Sequence, residues 1–188
     1  MKVLGISGSP REGGNSEFIT NHTLSAIAEE GIATEFLTLA GRTIMHCTAC
    51  MACRQQERCI IEDDLMPIYE KMKAADGIIL ATPVYFGSVT SLTKALMDRT
   101  GYVARNAGNT FRGKVGGPLV VARRGGMTFA FTQMNLWFHI LEFNMTGSTY
   151  WNFALGREKG EAANDQEGLD TAWRFGKNMA SLMKATRT

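Results

Sequence analysis

The chain has 188 residues, which is enough for one ordinary domain that buries a core without help from disulfides. Its 45% hydrophobic content and its balance of 20 basic against 18 acidic residues describe a soluble globular protein, and they exclude the strongly one-sided charge that nucleic-acid binding favours. No run approaches the ~18 apolar residues of a membrane span, and the N-terminus lacks a charged leader and a cleavage site. We therefore expect a cytoplasmic protein with no membrane or nucleic-acid partner.

Short apolar runs alternate along the chain with segments in which apolar residues recur at helical spacing. The runs predict strands, which we place at residues 2–7, 32–39, 78–82, 115–122 and 146–152. The periodic segments predict helices, which we place at residues 15–30, 88–99, 127–143 and 167–185, with one more after Asp63 or Asp64. Residues 78–82 are almost wholly apolar, which favours a central parallel strand buried on both faces.

This alternation predicts an α/β doubly wound fold with a five-stranded parallel sheet in a three-layer αβα arrangement. The flavodoxin-like strand order 2-1-3-4-5 is one of the two common orders for such a sheet. We find no linker, repeat or low-complexity segment, so we predict a single domain over residues 1–188 with a cysteine-rich loop at about residues 46–60. Residues 157–168 are polar and contain glycine, which predicts a surface loop before the last helix.

The only four cysteines of the chain lie close together in a C-x2-C-x2-C-x5-C run, as Cys47, Cys50, Cys53 and Cys59. Thiolates are soft ligands that suit iron–sulfur clusters or zinc, and the first three spacings match the bacterial ferredoxin run. Since the chain has no other cysteine, all four would close one site, which predicts one 4Fe-4S cluster. A zinc site, a disulfide pair and free thiols are the alternatives, and His46 is a ligand, a donor to sulfur or a plain loop histidine.

The first predicted strand runs into a loop of glycine and serine at residues 7–16, which we call the phosphate loop. In a doubly wound fold, ligands bind beyond the carboxyl ends of the strands where the strand order reverses. Backbone N–H groups and the helix dipole at such a loop favour an anion. The side chains that can donate to a phosphate are Ser7, Ser9, Arg11, Asn15 and Ser16. The loop has no Walker lysine, and the alternative is a plain turn with Asn15 or Ser16 as helix cap.

The third predicted strand runs into residues 82–88, which we call the aromatic loop. It carries Pro83, Val84, Tyr85, Phe86, Gly87 and Ser88. A flat aromatic ring would fit beside these residues, although Tyr85 and Phe86 could also be ordinary core aromatics. An anion end and an aromatic end in one crevice together match the shape of FMN.

Gly8-Ser9-Pro10-Arg11, Asn15-Ser16 and the aromatic loop together resemble the flavodoxin-like NAD(P)H-dependent FMN reductases, and the cysteine run resembles that of the iron–sulfur flavoproteins within that superfamily. The motifs cover about residues 1–125. The resemblance implies that Ser9, Arg11, Asn15 and Ser16 hold the FMN phosphate and that the aromatic loop lines the isoalloxazine. It also implies a third loop on the flavin side with Arg124 and Gly125. There, Arg123 and Arg124 would serve a nicotinamide phosphate, a cluster partner or only the surface.

The resemblance further implies a flavin-dependent oxidoreductase that passes electrons between a 4Fe-4S cluster, FMN and an external donor or acceptor. We nominate no catalytic acid or base, because no Ser-His-Asp or Cys-His set stands out. The donor would be NAD(P)H or a ferredoxin-type protein, and the acceptor a small molecule. A clusterless NAD(P)H-dependent FMN or quinone reductase, a non-catalytic flavodoxin-like carrier and a zinc-stabilised interaction module are the alternatives.

The resemblance to this family also implies a homodimer or a homotetramer, so we expect a homo-oligomer. The observation that motivates this expectation is an apolar and aromatic stretch, made of Phe129, Phe131, Trp137, Phe138 and Phe143. The alternative is a helix that is buried within the monomer.

Overall fold

In the computed structural model, which describes residues 1–186, a parallel sheet lies between two layers of helices. The strands are β1 (Lys2–Ser7), β2 (Ala33–Thr38), β3 (Gly77–Pro83), β4 (Val115–Ala122), β5 (Asn144–Met145) and β6 (Phe153–Leu155). The helices are α1 (Asn15–Ala28), α2 (Cys53–Gln56), α3 (Leu65–Ala74), α4 (Ser91–Asn106), α5 (Met127–Ile140) and α6 (Gln166–Ala185). The strand order β2-β1-β3-β4-β5, with β6 also paired to β4, confirms the predicted flavodoxin-like topology.

The strand β3 is buried on both faces, as its apolar run predicts. Ile78 and Leu80 belong to the core cluster that α3, α4 and α5 cover. Ile79 and Ala81 point the other way, into the cluster that α1 and α6 cover. This alternation follows from the two-residue period of a strand, and it leaves only the ends of the strands open to a ligand. None of the helices in residues 1–186 is long and apolar enough to cross a membrane.

The predicted fifth strand at residues 146–152 is wrong, because the chain leaves the sheet between β5 and β6. Pro118 of β4 explains the break. It has no N–H group to donate to a neighbouring strand, and its carbonyl oxygen accepts instead from the Asn152 side chain at 3.0 Å. The edge of the sheet is therefore built from two short strands, and the loop after β6 is brought beside the loop after β4.

The helix α4 is longer than predicted, since it begins at Ser91 and continues past the predicted end at Arg99 to Asn106. The side chain of Thr90 caps it by accepting a hydrogen bond from the Thr93 N–H group. Because of this extra length, one helix connects the end of the aromatic loop with the region of the cysteine loop.

The apolar and aromatic stretch that motivated the expected oligomer is only partly exposed to solvent. Trp137, Phe138 and Phe143 are buried in the monomer core, where their rings contact one another. Phe131 is partly buried against Phe153. These four residues therefore do not support an oligomer, and the alternative of burial within the monomer is correct for them.

Gly116 of β4 lies where the fold has no room for a side chain. A Cβ atom there would lie 2.7 Å from the carbonyl oxygen of Ile78 and 2.8 Å from the ring of Phe138. Since a backbone oxygen in a central strand cannot move aside, we expect Gly116→Ala to lower the free energy of unfolding by about 1–3 kcal/mol. Urea unfolding followed by circular dichroism measures this change. Gly147→Ala is the matched control, because a Cβ atom there meets nothing within 4 Å, and equal stability of the two variants would contradict the analysis.

Candidate functional site

A crevice opens at the carboxyl ends of β1, β3 and β4, where the strand order reverses. The phosphate loop, the aromatic loop, and the loops after β4 and β6 line it. The predicted site residues that line this crevice are Ser9, Arg11, Asn15, Ser16, Pro83, Val84 and Tyr85. Thus both predicted ends of the site, the anion end and the aromatic end, meet in one crevice.

The phosphate loop is fixed from below by the carboxylate of Glu17. The N–H group of Gly13 donates to one oxygen of this carboxylate at 2.8 Å, and the hydroxyl of Thr38 donates to the other at 2.5 Å. Gly13 has φ of 60°, a conformation that favours glycine. The cap residue of α1 is Gly14, whose missing side chain leaves the first N–H groups of the helix free of a side-chain cap. The loop therefore presents backbone donors to the crevice.

Ser7 and Ser9 have different roles in this loop. Ser7 is fully buried at the end of β1 and lies outside the crevice, where its hydroxyl accepts from the N–H group of Ser9 at 3.4 Å. The Ser9 hydroxyl accepts from the Arg11 N–H group at 3.1 Å and donates to the Arg11 carbonyl at 3.3 Å. Ser7 thus supports the loop, whereas Ser9 and Arg11 form its surface.

Asn15 fastens the phosphate loop to the loop after β6. Its side-chain oxygen accepts from the N–H groups of Gly160 and Ala162 at 2.9 and 3.3 Å, and its amide donates to the Glu158 carbonyl at 2.8 Å. Asn15 is the first residue of α1, so the alternative of a helix cap is wrong for it. Most of the hydrogen bonds that its side chain can form are therefore used to position the loop after β6.

Sequence reasoning missed the loop after β6, which it interpreted only as surface. This loop places Gly156, Arg157 and Lys159 along the crevice. With Arg11 and Arg123, four basic side chains therefore line one crevice, which favours an anionic ligand. Two basic residues in a short polar loop were the only signal in the sequence.

The aromatic loop ends in a tight turn. Tyr85 and Ser88 exchange two backbone hydrogen bonds at 2.9 and 3.0 Å, and the two residues between them, Phe86 and Gly87, have φ of 49° and 76°. Positive φ at both central residues is the geometry of a type I′ turn, which costs a non-glycine residue about 1–2 kcal/mol. Phe86 is fully exposed and is therefore not a core aromatic. The side chain of Ser88 donates to the side-chain oxygen of Gln133 at 2.9 Å. Phe86, Gly87 and Ser88 are not among the residues that line the crevice.

The loop after β4 contributes Arg123 to the crevice, whereas Arg124 and Gly125 are exposed and lie outside its lining. This loop packs closely on the aromatic loop. A Cβ atom at Gly126 would lie 3.0 Å from Val84 and 3.1 Å from the backbone of Gly87. The two loops therefore share one wall of the crevice.

A buried network of hydroxyl groups joins the phosphate loop to the aromatic loop. The Thr90 hydroxyl donates to the Gly8 carbonyl at 2.6 Å and accepts from the Thr93 N–H group at 3.1 Å. The Thr93 hydroxyl donates to that of Thr82, at the end of β3, at 3.2 Å. Because these groups are buried, breaking one bond leaves an unpaired polar group, which costs about 1–3 kcal/mol.

The cysteine loop lies between β2 and α3 and contains α2. Its four cysteines are not paired in disulfides in this structure. All four line one second pocket together with Ile60, Tyr102 and Val103, and these residues give the site an apolar wall. No group of three or more His, Cys, Asp or Glu side chains within residues 1–186 is arranged to hold a metal ion. The exposed His46 does not line this pocket.

The backbone of the cysteine loop turns sharply at residues other than glycine. Ala49 and Met51, on either side of Cys50, have φ of 53° and 61°, and Glu57 has φ of 52°. Each costs about 1–2 kcal/mol, and such residues concentrate where a loop clamps a ligand. The turn at Ala49 also lets its N–H group donate to the sulfur of Cys47 at 3.4 Å. The loop has the donor chemistry of a thiolate site for a soft metal.

A buried guanidinium holds both ends of this loop. Arg99 of α4 is only 1% exposed, and it donates to the carbonyl of Met45 at 3.1 Å and to the carbonyl of Ile61 at 3.3 Å. It also forms a two-pronged ion pair with the carboxylate of Asp63. Burial disfavours the charged carboxylate, but hydrogen bonds from Arg99 and from the N–H groups of Met45 and Leu65 outweigh it and hold the pKa of Asp63 below its ordinary value.

Comparisons with known proteins agree with this geometry. The sequence pattern of the NADPH-dependent FMN reductase family matches residues 1–158. An iron-sulfur flavoprotein of Methanocaldococcus jannaschii is 42% identical over 98% of this chain and 98% of its own length. An iron-sulfur flavoprotein of Methanosarcina thermophila is 37% identical over 98% of this chain and 96% of its own length.

Among solved structures, a flavodoxin from the domain Archaea is similar with a TM-score of 0.66 and 12% identity, covering 98% of this chain and 99% of that one. This likeness shows the fold. The family match covers most of the chain, including the phosphate, aromatic and cysteine loops. The chain therefore belongs to the NADPH-dependent FMN reductase family and is a flavin-dependent oxidoreductase of flavodoxin-like fold.

Proposed function

We propose that this protein binds FMN in the crevice and one 4Fe-4S cluster on the cysteine loop, and that it passes electrons between them and an external partner. The observation that carries the proposal is the position of α4. Its cap Thr90 is bonded to the phosphate loop, and Arg99 in the same helix is bonded to both ends of the cysteine loop. Its relatives with the name iron-sulfur flavoprotein support the same assignment.

The crevice suits FMN by its two chemically different ends. The hydroxyls of Ser9 and Ser16, the side chain of Arg11 and the free N–H groups of α1 would hold the phosphate. Pro83, Val84 and Tyr85 would contact the flat ring. FMN supplies hydride and one-electron chemistry when bound, and these residues bind and orient it.

The cysteine loop suits an iron–sulfur cluster by its donor set. Four thiols on one pocket are soft ligands, and basic and amide groups of α4 face them. Binding would draw the thiols together, since they are not arranged around a metal position in residues 1–186. The cluster exchanges single electrons when bound, so together with FMN it would link two-electron and one-electron partners.

NAD(P)H or a ferredoxin-type protein is our proposed donor, and a small molecule our proposed acceptor. Tyr85 and Phe86 are 42% and 108% exposed at the aromatic end, so this end is open to an incoming partner. The basic side chains of Arg123 and Arg157 along the crevice would suit an anionic donor.

A homodimer or homotetramer is also proposed, on a different set of residues from the one the sequence suggested. Phe129, Leu136 and Ile140 of α5 are 75%, 65% and 55% exposed. Their spacing of seven and four residues puts them on one side of the helix. Trp151, 52% exposed, lies beside this surface in one pocket with Leu136. An exposed apolar surface of this kind favours contact with a second copy.

The first test of the proposal is the cofactor content of the protein purified without oxygen. We expect four iron, four acid-labile sulfide and one FMN per chain, with no zinc. Cys50→Ser, which alters an exposed thiol, is expected to lose the iron and to keep the FMN, because the crevice is built by other loops. Thr48→Ser is the control in the same loop. FMN without iron, even after reconstitution, would leave a clusterless flavin reductase.

The second test separates the phosphate end from the ring end. Arg11→Ala is expected to weaken FMN binding by about 10- to 100-fold, the loss expected for one charge-assisted hydrogen bond, and to leave riboflavin binding unchanged because riboflavin has no phosphate. Fluorescence titration of the flavin-free protein measures both. Arg174→Ala on α6 is the control, because this exposed arginine lies outside the crevice. Equal losses for FMN and riboflavin would place the phosphate elsewhere.

The third test concerns the oligomer. Leu136→Glu puts a charge into the proposed apolar contact, and sedimentation velocity at micromolar concentration is expected to show a shift from oligomer to monomer. Asn21→Glu, exposed on α1 at the opposite layer of helices, is the control and should leave the oligomer intact. A monomeric unmodified protein would refute the oligomer.

A further inference from the structure

Two side chains of the helix α4 donate hydrogen bonds to cysteine sulfurs. Nε and Nη2 of Arg99 lie 3.3 and 3.1 Å from Sγ of Cys59. Nδ2 of Asn106 lies 3.2 Å from Sγ of Cys53. Residues 99 and 106 are two turns apart, so both donors project from the same side of the helix.

The surroundings of Arg99 direct its remaining donor, the Nε–H group, at sulfur. Its side chain is 1% exposed, so water cannot replace its protein partners. Asp63 accepts two of its five N–H bonds and the carbonyls of Met45 and Ile61 accept two more, which leaves the Nε–H bond for Cys59, while Nη2 shares one of its N–H bonds with the same sulfur. A buried ion pair adds little to stability by itself, since apolar replacements of such pairs are often neutral. Besides holding the two ends of the cysteine loop through Met45 and Ile61, Arg99 thus also presents an N–H group to the sulfur of Cys59.

Hydrogen bonds to cysteine sulfur, local charge and burial are the means by which a protein sets the reduction potential of an iron–sulfur cluster. One added electron increases the negative charge on the sulfurs, with no bond broken and no proton taken up. An N–H group that points at sulfur stabilises this added charge, so it favours the reduced form and raises the potential.

We propose that Arg99 and Asn106 are positioning residues that raise the reduction potential of the cluster through N–H···S bonds to Cys59 and Cys53. The inference rests on the proposed function and adds a regulatory property to the same site. It assigns to α4 the control of how readily the cluster accepts an electron, separately from whether the cluster is bound.

Asn106 gives the cleaner variant, because its side chain is uncharged and half-buried, so that its replacement leaves no unpaired charge. Asn106→Leu removes the donor at similar volume. At a fixed potential, the ratio of reduced to oxidised cluster is expected to fall about tenfold, which corresponds to about 59 mV for a one-electron couple. Redox titration with dithionite, followed by visible absorption and by the electron paramagnetic resonance of the reduced cluster, measures the shift. The potential of FMN, measured in the same titration, should not change.

Arg99 needs a paired variant, since removing one charge would leave the other buried and unpaired. Arg99→Met combined with Asp63→Asn removes both charges and keeps one acceptor oxygen for the N–H groups of Met45 and Leu65, which donate to different oxygens of the Asp63 carboxylate. We expect it to lower the cluster potential as well. Arg105→Met is the control on the same helix, because Arg105 is exposed, does not line the cysteine pocket and is screened by solvent.

Iron and sulfide are counted in every variant before titration. Lower potentials in both variants, with full iron and an unchanged Arg105→Met protein, support the inference. Full iron with an unchanged potential in Asn106→Leu overturns it and leaves the proposed function intact. Loss of iron from Asn106→Leu also overturns it, because the role would then be retention of the cluster. An unmodified protein that holds no iron after reconstitution overturns both.

Discussion

The fixed position of α4 is the constraint on which both candidate sites depend. At its start, the buried hydroxyl of Thr90 donates to the carbonyl of Gly8 in the phosphate loop. In its middle, the buried guanidinium of Arg99 bridges Met45 and Asp63 at the two ends of the cysteine loop. Buried polar groups of this kind cost about 1–3 kcal/mol or more when they lose a partner, so neither loop can shift without a large loss of stability.

The part of the crevice that could be predicted from the sequence follows from the parallel sheet. Residues 2–7, 78–82 and 115–122 are apolar runs whose strands lie at the centre of the sheet. Since the carboxyl ends of parallel strands meet at one edge, the glycine- and serine-rich loop and the aromatic loop that follow two of these runs had to meet there. The local pattern and one general rule of topology were therefore sufficient to predict that these two loops meet in one crevice, although not that the loop after β6 lines it as well.

The contacts that were missed all join segments far apart in the chain. Asn15 bonds to Gly160, and Arg99 bonds to Cys59, but neither pairing leaves a periodic signal, because hydrogen-bond partners follow from the final packing. A buried arginine in an otherwise amphipathic helix has the same pattern as an exposed one. Pro118 is the exception, since its missing N–H group was visible in the sequence and could have predicted the broken edge of the sheet.

The rigidity of α4 also limits how electron exchange in one chain could be adjusted. From Thr90 to Arg99 the helix rises about 14 Å, at about 1.5 Å per residue. The backbone hydrogen bonds of the helix fix this separation, and the buried bonds of Thr90 and Arg99 hold the phosphate loop and the cysteine loop to the helix. If both groups bind as proposed, distance within the chain is therefore a constant of the fold. The property that remains adjustable is the potential of each group, and the N–H···S bonds from Arg99 and Asn106 act on that property.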